Sequence, residues 1–382
     1  MVYLFHLNCT VVKYLFLFAF SYATQAAAQG HSHALGRALR FPDVPGFVTL
    51  TTDLHQHTVF SDGSVWPDIR VMEALMDGLD AISLTEHLEY QPHKADLPHP
   101  DRNRSYQLAL AEAKDHRLLI VNGSEITRRM PPGHCNAIFL SDANQLLIGD
   151  SLEVFRKAKE QGAFVFWNHP HWTAQRRDGV ATLTPFHRLL IREGLLHGIE
   201  VVNEHTYSEE ALQLALDHNL TIMGTSDIHR LIDWEFDVPK GGHRPITLVF
   251  ANERTEASLK EALIERRTVV FFKNMLIGRS RELLPLLQQC ITVVKAQYPA
   301  RADVLAVTLE NKSSVELVLR NESSFRFHTD GDLLILPPGA TRTVEVKTLT
   351  RLSSLELRFR VLSAVEAPRQ HPLLVLPVTP AK

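Results

Sequence analysis

The sequence predicts an α/β domain, either a barrel or a doubly wound sheet, followed by a smaller all-β sandwich domain. Three observations predict it. From about residue 47 to 272 short apolar runs alternate with amphipathic stretches; after Leu287 the helical patterns largely stop and β-branched alternation takes over; and fifteen of the 20 histidines fall between residues 55 and 243. A chain of 382 residues that is 45% hydrophobic has enough apolar content for a sizeable core and more than one domain.

The amino-terminal stretch stands apart from that pattern. Residues 11–20 (VVKYLFLFAF) form a short apolar run, and ATQAAAQG at 23–30 supplies small residues around Ala28. This layout predicts a secretory signal peptide over 1–28 and a linker over 29–46 that carries His31 and His33. The run is shorter than the ~20 apolar residues of a membrane span, so the expected location is periplasmic or secreted, with no membrane anchor after cleavage. Cys9 leaves with the signal. Cys135 and Cys290 remain, too few for a disulfide scaffold or a four-cysteine metal site.

The next region, 47–275, contains eight strand-like runs: FVTLTTDL, DAISLT, RLLIVNG, NAIFL, GAFVFWN, GIEVVN, LTIMGT and ITLVFA. Helical patterns lie between several of them, at 68–76, 105–114, 151–160, 185–193, 208–217 and 255–266, the first opened by Pro67 and Asp68. Such alternation predicts parallel strands with helical crossovers. Over 288–382 the runs ITVVKAQ, VLAVTLEN, VELVLRN, LLILPPG, TRTVEVKT and LELRFRVL are punctuated by Asn321, Gly331 and Pro337–Pro338–Gly339, as in an antiparallel sandwich. That domain carries no visible chemistry. Forty basic against 43 acidic residues give a net charge of −3, which argues against nucleic acid as a partner.

Chemistry-bearing side chains recur at the carboxyl ends of the predicted strands. His55 and His57 follow TTDL, Glu86 and His87 follow AISLT, Glu125 follows LIVNGS, His169 follows FVFWN, and Asp227 and His229 follow IMGTS. In parallel α/β folds those ends converge on one face. Residues i and i+2 of a strand point the same way, so His55 and His57 can reach one ion, as can Asp227 and His229. A turn at Ser61-Asp62-Gly63 returns Asp62 to the same end. Glu125 lies on a buried strand, where a carboxylate needs a cation; Arg128 or Arg129 is the alternative to a metal. His169 is preferred over His171, and Glu86 suits a role in orienting a ligand. The remaining histidines, His93, His99, His116, His187, His197, His205, His218 and His243, read as surface or core residues.

DLHQHTVFSDGSVWP, ISLTEH, the strand end at Glu125, NHPH and GTSDIH, in this order, resemble the PHP family (polymerase and histidinol phosphatase domain) over roughly residues 47–275. The chain as far as Arg267 is further similar to secreted PHP-type phosphoesterases with a C-terminal β domain. The resemblance implies a distorted, TIM-barrel-like (β/α)7 barrel holding two or three divalent ions (zinc, manganese or iron) and hydrolysing phosphoric ester bonds. It implies His55, His57, Glu125 and Asp227 on a first ion. Glu125 would bridge to a second completed by His134 and His169, and Asp62, His87 and His229 would hold a third. His134 precedes its strand, so its place depends on a reaching loop. The expected reaction is attack by a metal-bridged hydroxide on a small organic phosphate monoester or diester. Asp227, His229 or metal-bound water would protonate the leaving group.

Lys94, Arg102, Arg104, Arg128, Arg129, Arg176 and Arg177 fall in loops after strand ends and are candidates for gripping phosphate. Trp172 would stack on a ring substituent or pack as a lid. A C–N or C–O hydrolase on a related barrel site is the competing enzyme, and a catalytically silent metal-binding module the competing non-enzyme. An exonuclease fits poorly with the charge and signal, as does hydrolysis of histidinol phosphate outside the cytoplasm.

Overall fold

The computed structural model describes residues 37–381. The signal-peptide expectation, Cys9, His31 and His33 lie outside the described residues. Among the described residues no helix is long and apolar enough to cross a membrane.

The α/β region runs β1 (Val48–Gln56), α1 (Pro67–Asp77), β2 (Ala81–Leu84), α2 (Arg104–Ala113) and β3 (Leu119–Thr127). Next come β4 (His134–Ile138), α3 (Glu153–Glu160), β5 (Phe164–Trp167), α4 (Pro185–Arg192) and β6 (Gly198–Asn203). The two-residue β7 (Thr206–Tyr207), α5 (Glu209–Asp217), β8 (Thr221–Thr225) and a short α6 (Ile232–Glu235) follow. The helix starts use local polar chemistry: α1 opens on Pro67, and in α4 and α5 the hydroxyls of Thr184 and Ser208 accept from the backbone N–H groups of His187 and Ala211.

β1, β2 and β3 are parallel neighbours, as are β5, β6 and β8. The two sets are joined by β4, which runs antiparallel to both β3 and β5. This departs from the all-parallel expectation, and the cause is the connection: residues 128–133 are too few for the helical crossover that a parallel pair needs. The curl closes where the chain leaving β8 returns to β1. Gln56 pairs with Ile228, and His57 N donates to Ile228 O at 3.0 Å. Leu50, Leu54, Val121, Ile138, Phe164, Phe166 and Met223 fill the interior below that rim.

β9 (Ile246–Ala251), α7 (Glu256–Ile264), β10 (Thr268–Phe272) and β11 (Met275–Gly278) complete the sheet, with β9 antiparallel to β1 and β10 antiparallel to β9 and β11. α8 (Ser280–Cys290) then leads directly into the all-β region. One of its sheets orders β12 (Ile291–Gln297), β13 (Val304–Asn311) and β16 (Thr341–Lys347). The other orders β15 (Leu333–Leu336), β14 (Leu317–Asn321), β17 (Leu355–Val361) and β19 (Leu373–Val378). Alternate residues such as Leu305, Val307 and Leu309 on β13 and Leu357, Phe359 and Val361 on β17 are buried, the period expected of a sandwich. β18 (Ala364–Val365) leaves the sandwich to pair in parallel with β11. The apolar cluster is continuous from Val71 and Ile82 of the α/β region through Leu283 to Phe359 and Leu376. Cys135 and Cys290 are buried and free.

Of the leftover histidines, His187 belongs to the core and the half-buried His197 packs at its edge. His187 stacks on Trp167 at 4.0 Å with Nε2 2.6 Å from Pro132 O, and the backbone N of Val165 donates to His197 Nδ1 at 3.0 Å. Burial pushes both imidazoles down to about 4. A folded-state pKa below the unfolded value near 6.5 stabilises the fold above that value and loses the effect as pH falls toward 4. The urea midpoint is therefore expected to drop between pH 7 and 4.5, and His187→Phe to flatten that slope. An unchanged slope would show that His187 is protonated without penalty.

Candidate metal centre

The rim above the apolar interior collects the side chains named from the strand ends. β1 delivers its histidines through an irregularity: its pairing with β2 shifts register between Asp53 and Gln56. Leu50 and Leu54 pack in the barrel interior, so a regular strand would turn the next residue outward. The bulge re-aims His55 inward, a common use of bulges beside sites. β6 does the same between Glu200 and Val202, bringing Asn203 to the face occupied by Glu200.

Asp62 returns by the expected turn. Ser61 N and Gly63 N both donate to Thr58 O, and a Cβ on Gly63 would stand 2.7 Å from backbone atoms of His57 and Thr58, so glycine is required there. His134 needs no reaching loop. Because β4 is antiparallel, its first residue lies at the same rim as the last residues of β3 and β5, with Thr127 paired to His134 and Cys135 to Trp167.

These placements bring all nine sequence-named candidates into one cluster. His55 Nε2 and His57 Nε2 are 3.1 Å apart and lie 3.0 and 3.1 Å from Asp227 Oδ1. Glu125 Oε1 is 3.6 Å from His55 Nε2, 3.2 Å from His134 Nδ1 and 3.6 Å from His169 Nε2. Its Oε2 contacts His87 Nδ1. Asp62 lies 3.3 Å from His87 Nε2 and 3.2 Å from His229 Nε2. Three overlapping groups result, each compact enough for one ion: His55, His57 and Asp227; His87, Glu125 and His134; and His57, Asp62, His87 and His229. His171 turns away, with Nε2 2.8 Å from Thr206 Oγ1.

The donor set fits divalent cations. His55 Nδ1 is hydrogen-bonded to Glu200 at 2.7 Å and His57 Nδ1 to Ser61 Oγ at 3.2 Å. With protons on those nitrogens, assigned from the bonds they make, two Nε2 lone pairs face each other and need a cation to offset their repulsion. Asp62 Oδ1 and Glu125 Oε2 are buried and face the imidazole nitrogens of His229 and His87 without a well-formed hydrogen bond. Burial would raise Glu125 and Asp227, but His87 and His134 hold the first, and His55 the second, well below the usual carboxylate range. Burial pulls His87 and His229 down, yet Glu125 and Asp62 push His87 up to about 11, and Asp62 and Asp227 push His229 up to about 9. Two buried anions thus collect positive charge from every side. His169 and Asp227 also hold φ values of 29° and 47°, a backbone conformation costly for non-glycine residues and concentrated at functional sites.

Glu86 orients a candidate ligand and does not itself meet an ion. It accepts from Ser61 Oγ at 2.5 Å and from Thr58 N at 3.1 Å, and Ser61 in turn holds His57. Sequence reasoning missed Glu200. This buried carboxylate accepts from the His169 backbone at 2.7 Å, Thr225 Oγ1 at 2.6 Å and Asn203 Nδ2 at 2.9 Å, besides holding His55. It also missed Asn168, which donates to Glu125 at 2.7 Å, and Asn203, which donates to Asp227 at 3.1 Å. An acid in the apolar run GIEVVN was the available signal.

The basic residues are more dispersed. Arg128 ion-pairs with Glu89 at 2.8 Å and donates to Ile148 O at 2.5 Å, Arg102 donates to Leu88 O, and Arg176 bonds Thr182 O. Arg104 opens α2 and faces Gln107. Lys94, Arg129 and Arg177 are exposed. Among the described residues no hydrogen bond or ion pair joins any of these to the cluster.

A family model for an Ig-like domain matches residues 291–377. No curated protein matches the chain. Among solved structures, the chain is similar to a two-domain protein of Bacteroides vulgatus ATCC 8482 containing a predicted PHP-like metal-dependent phosphoesterase. The two are 42% identical, the match covers 89% of this chain and 98% of that one, and the TM-score is 0.82. A candidate metal-dependent phosphoesterase of Bifidobacterium adolescentis ATCC 15703 is 18% identical, with 47% and 87% of the chains covered and a TM-score of 0.36. PsfC of Pseudomonas syringae PB-5123 is 19% identical, with 59% and 92% covered and a TM-score of 0.42. With the Bacteroides likeness extending over nearly the whole of both chains, the protein belongs to the PHP-like metal-dependent phosphoesterases, in the two-domain form that couples the α/β region to an Ig-like domain.

Proposed function

We propose that the protein hydrolyses a small organic phosphate, monoester or diester, at a centre of two or three divalent ions, zinc, manganese or iron. The apolar run at 11–20 supports action in the periplasm or outside the cell. The observation that carries the reading is the convergence of three overlapping histidine–carboxylate groups at one barrel rim.

His55, His57, Glu125 and Asp227 would hold one ion, Glu125 with His134 and His169 a second, and Asp62, His87 and His229 a third. Bound there, the cations would supply Lewis acidity toward water and phosphate oxygens. The chain's own groups do the positioning. Glu200 fixes the His55 ring and the His169 backbone together, and Glu86 fixes His57 through Ser61. Asp227 is committed between His55 and His57. His229 keeps Nδ1 2.7 Å from Asp227 O, which leaves Nε2 for the third ion; only in a two-ion form, with Nε2 free of a cation, would this partly exposed ring be the proton donor to the leaving oxygen. Exposed Lys94, Arg129 and Arg177 remain for phosphate, and the preference for phosphate esters over amides rests on such groups.

The test is elemental analysis of the purified protein together with a panel of phosphate monoesters, phosphate diesters, amides and lactones. Chelation followed by gel filtration is expected to abolish phosphate-ester turnover, and added manganese or zinc to restore it. Asp227→Asn is expected to lose roughly a hundred- to a thousandfold in turnover while keeping its circular dichroism. Full activity after chelation contradicts the proposal, and turnover of amides or lactones alone points to the C–N or C–O hydrolase.

A further inference from the structure

Two exposed aromatic side chains flank the candidate ligands. Tyr90 follows His87 by three residues and Trp172 follows His169 by three; they are 52% and 44% exposed. Their rings join a continuous row, Tyr90–His87–His134–Trp172, with centroid separations of 5.7, 5.5 and 5.7 Å, and Trp172 also meets His169 edge-on at 5.1 Å. Each sits on a tethered turn. Leu88 N donates to Glu125 O at 2.8 Å, and Gln91 Nε2 donates to His87 O at 2.5 Å. On the other side Trp172 N donates to His169 O at 2.9 Å, and Arg176 N donates to Trp172 O at 2.8 Å. Contact with the imidazoles, edge-on except for the tilted Trp172–His134 pair, leaves aromatic surface exposed beside the cluster, on anchors that lose little freedom when a ligand arrives.

We infer that Tyr90 and Trp172 form the leaving-group subsite and select phosphate esters of planar aromatic (aryl) alcohols over aliphatic ones. The inference rests on the phosphoesterase reading above and adds to it the class of alcohol. Apolar walls beside a charged cluster suit a ligand with one anionic end and one flat end, because stacking needs no polar atom from the ring.

The experiment uses metal-loaded full-length protein. Calorimetry compares phenylphosphonate with methylphosphonate, which carry the same anionic end and are not hydrolysed, on wild type, Trp172→Ala, Trp172→Phe and Tyr90→Ala. Kinetics on phenyl phosphate and glycerol phosphate run beside it. Wild type is expected to bind the phenyl compound about tenfold more tightly or better. Trp172→Ala should bring that ratio close to one and raise KM for phenyl phosphate about tenfold with kcat changed less, Tyr90→Ala should lower the ratio in part, and Trp172→Phe should restore most of it. A wild-type ratio near one, or a ratio unmoved by Trp172→Ala, overturns the subsite. The two failures are distinguishable: glycerol phosphate turnover without aryl preference sinks the subsite alone, whereas aryl preference in binding without turnover of any phosphate ester sinks the phosphoesterase reading alone.

Discussion

Glu125→Gln is expected to lower phosphate-ester turnover by about a hundred- to a thousandfold and to leave the protein with less bound metal, while the fold persists. Glu125 lies near the end of β3 and meets the cluster on every side. One oxygen approaches His55, His134 and His169, and the other contacts His87 and lies 3.9 Å from His57. Glutamine keeps the volume and can still accept the hydrogen bond from Asn168. It removes the charge and turns an N–H group toward imidazoles whose lone pairs are needed for ions. Glu200→Gln makes the informative comparison, because Glu200 holds His55 and the His169 backbone without lying among the candidate ligands. Its loss is expected to weaken metal affinity by about ten- to a hundredfold and to be partly recovered at high metal concentration. Elemental analysis and turnover at two metal concentrations check both variants. Wild-type metal content and rate in Glu125→Gln would remove this carboxylate from the centre.

What could be seen in the sequence was the arrival of ligand-type side chains at strand ends, because that depends only on where an apolar run stops. His55, Glu125, His169 and Asp227 were legible for this reason. The inward turn of Asn203 was not, since it depends on the β6 bulge, and a bulge changes the parity of a strand without changing its composition. The direction of β4 was legible in principle from the short 128–133 connection, but the surrounding strand–helix rhythm pointed to a parallel sheet. β10 and β11 escaped notice because they pair outside that rhythm, with β9 and with the two residues of β18. Glu200 was hidden for a different reason: GIEVVN reads as one more buried strand, and the partners that make its carboxylate tolerable come from β1, β8 and the residues after β5.

Arg244 belongs to none of the sequence motifs. It is fully buried, its Nε donates to Asp77 at 2.7 Å and its Nη1 to Asp53 at 3.1 Å. These bonds tie the start of β9 to the end of α1 and to β1. Asp53 also accepts from Gln56 Nε2 at 2.9 Å and from both Ser226 N and Ser226 Oγ, at 3.0 and 2.6 Å, immediately before Asp227. Arg244→Met keeps much of the volume but takes the cation from the fully buried Asp53, which costs about 3–5 kcal/mol. The urea midpoint is expected to fall accordingly. Metal affinity should fall with it, because the Asp53 carboxylate that fixes the backbone just before Asp227 loses its own anchor. Adding Asp53→Asn to Arg244→Met removes that uncompensated charge, so it should recover much of the stability but not the metal affinity, since the positioning of Ser226 stays impaired. A single variant within about 1 kcal/mol of wild type would mean that water or another cation reaches these acids, and that the floor of the site does not depend on Arg244.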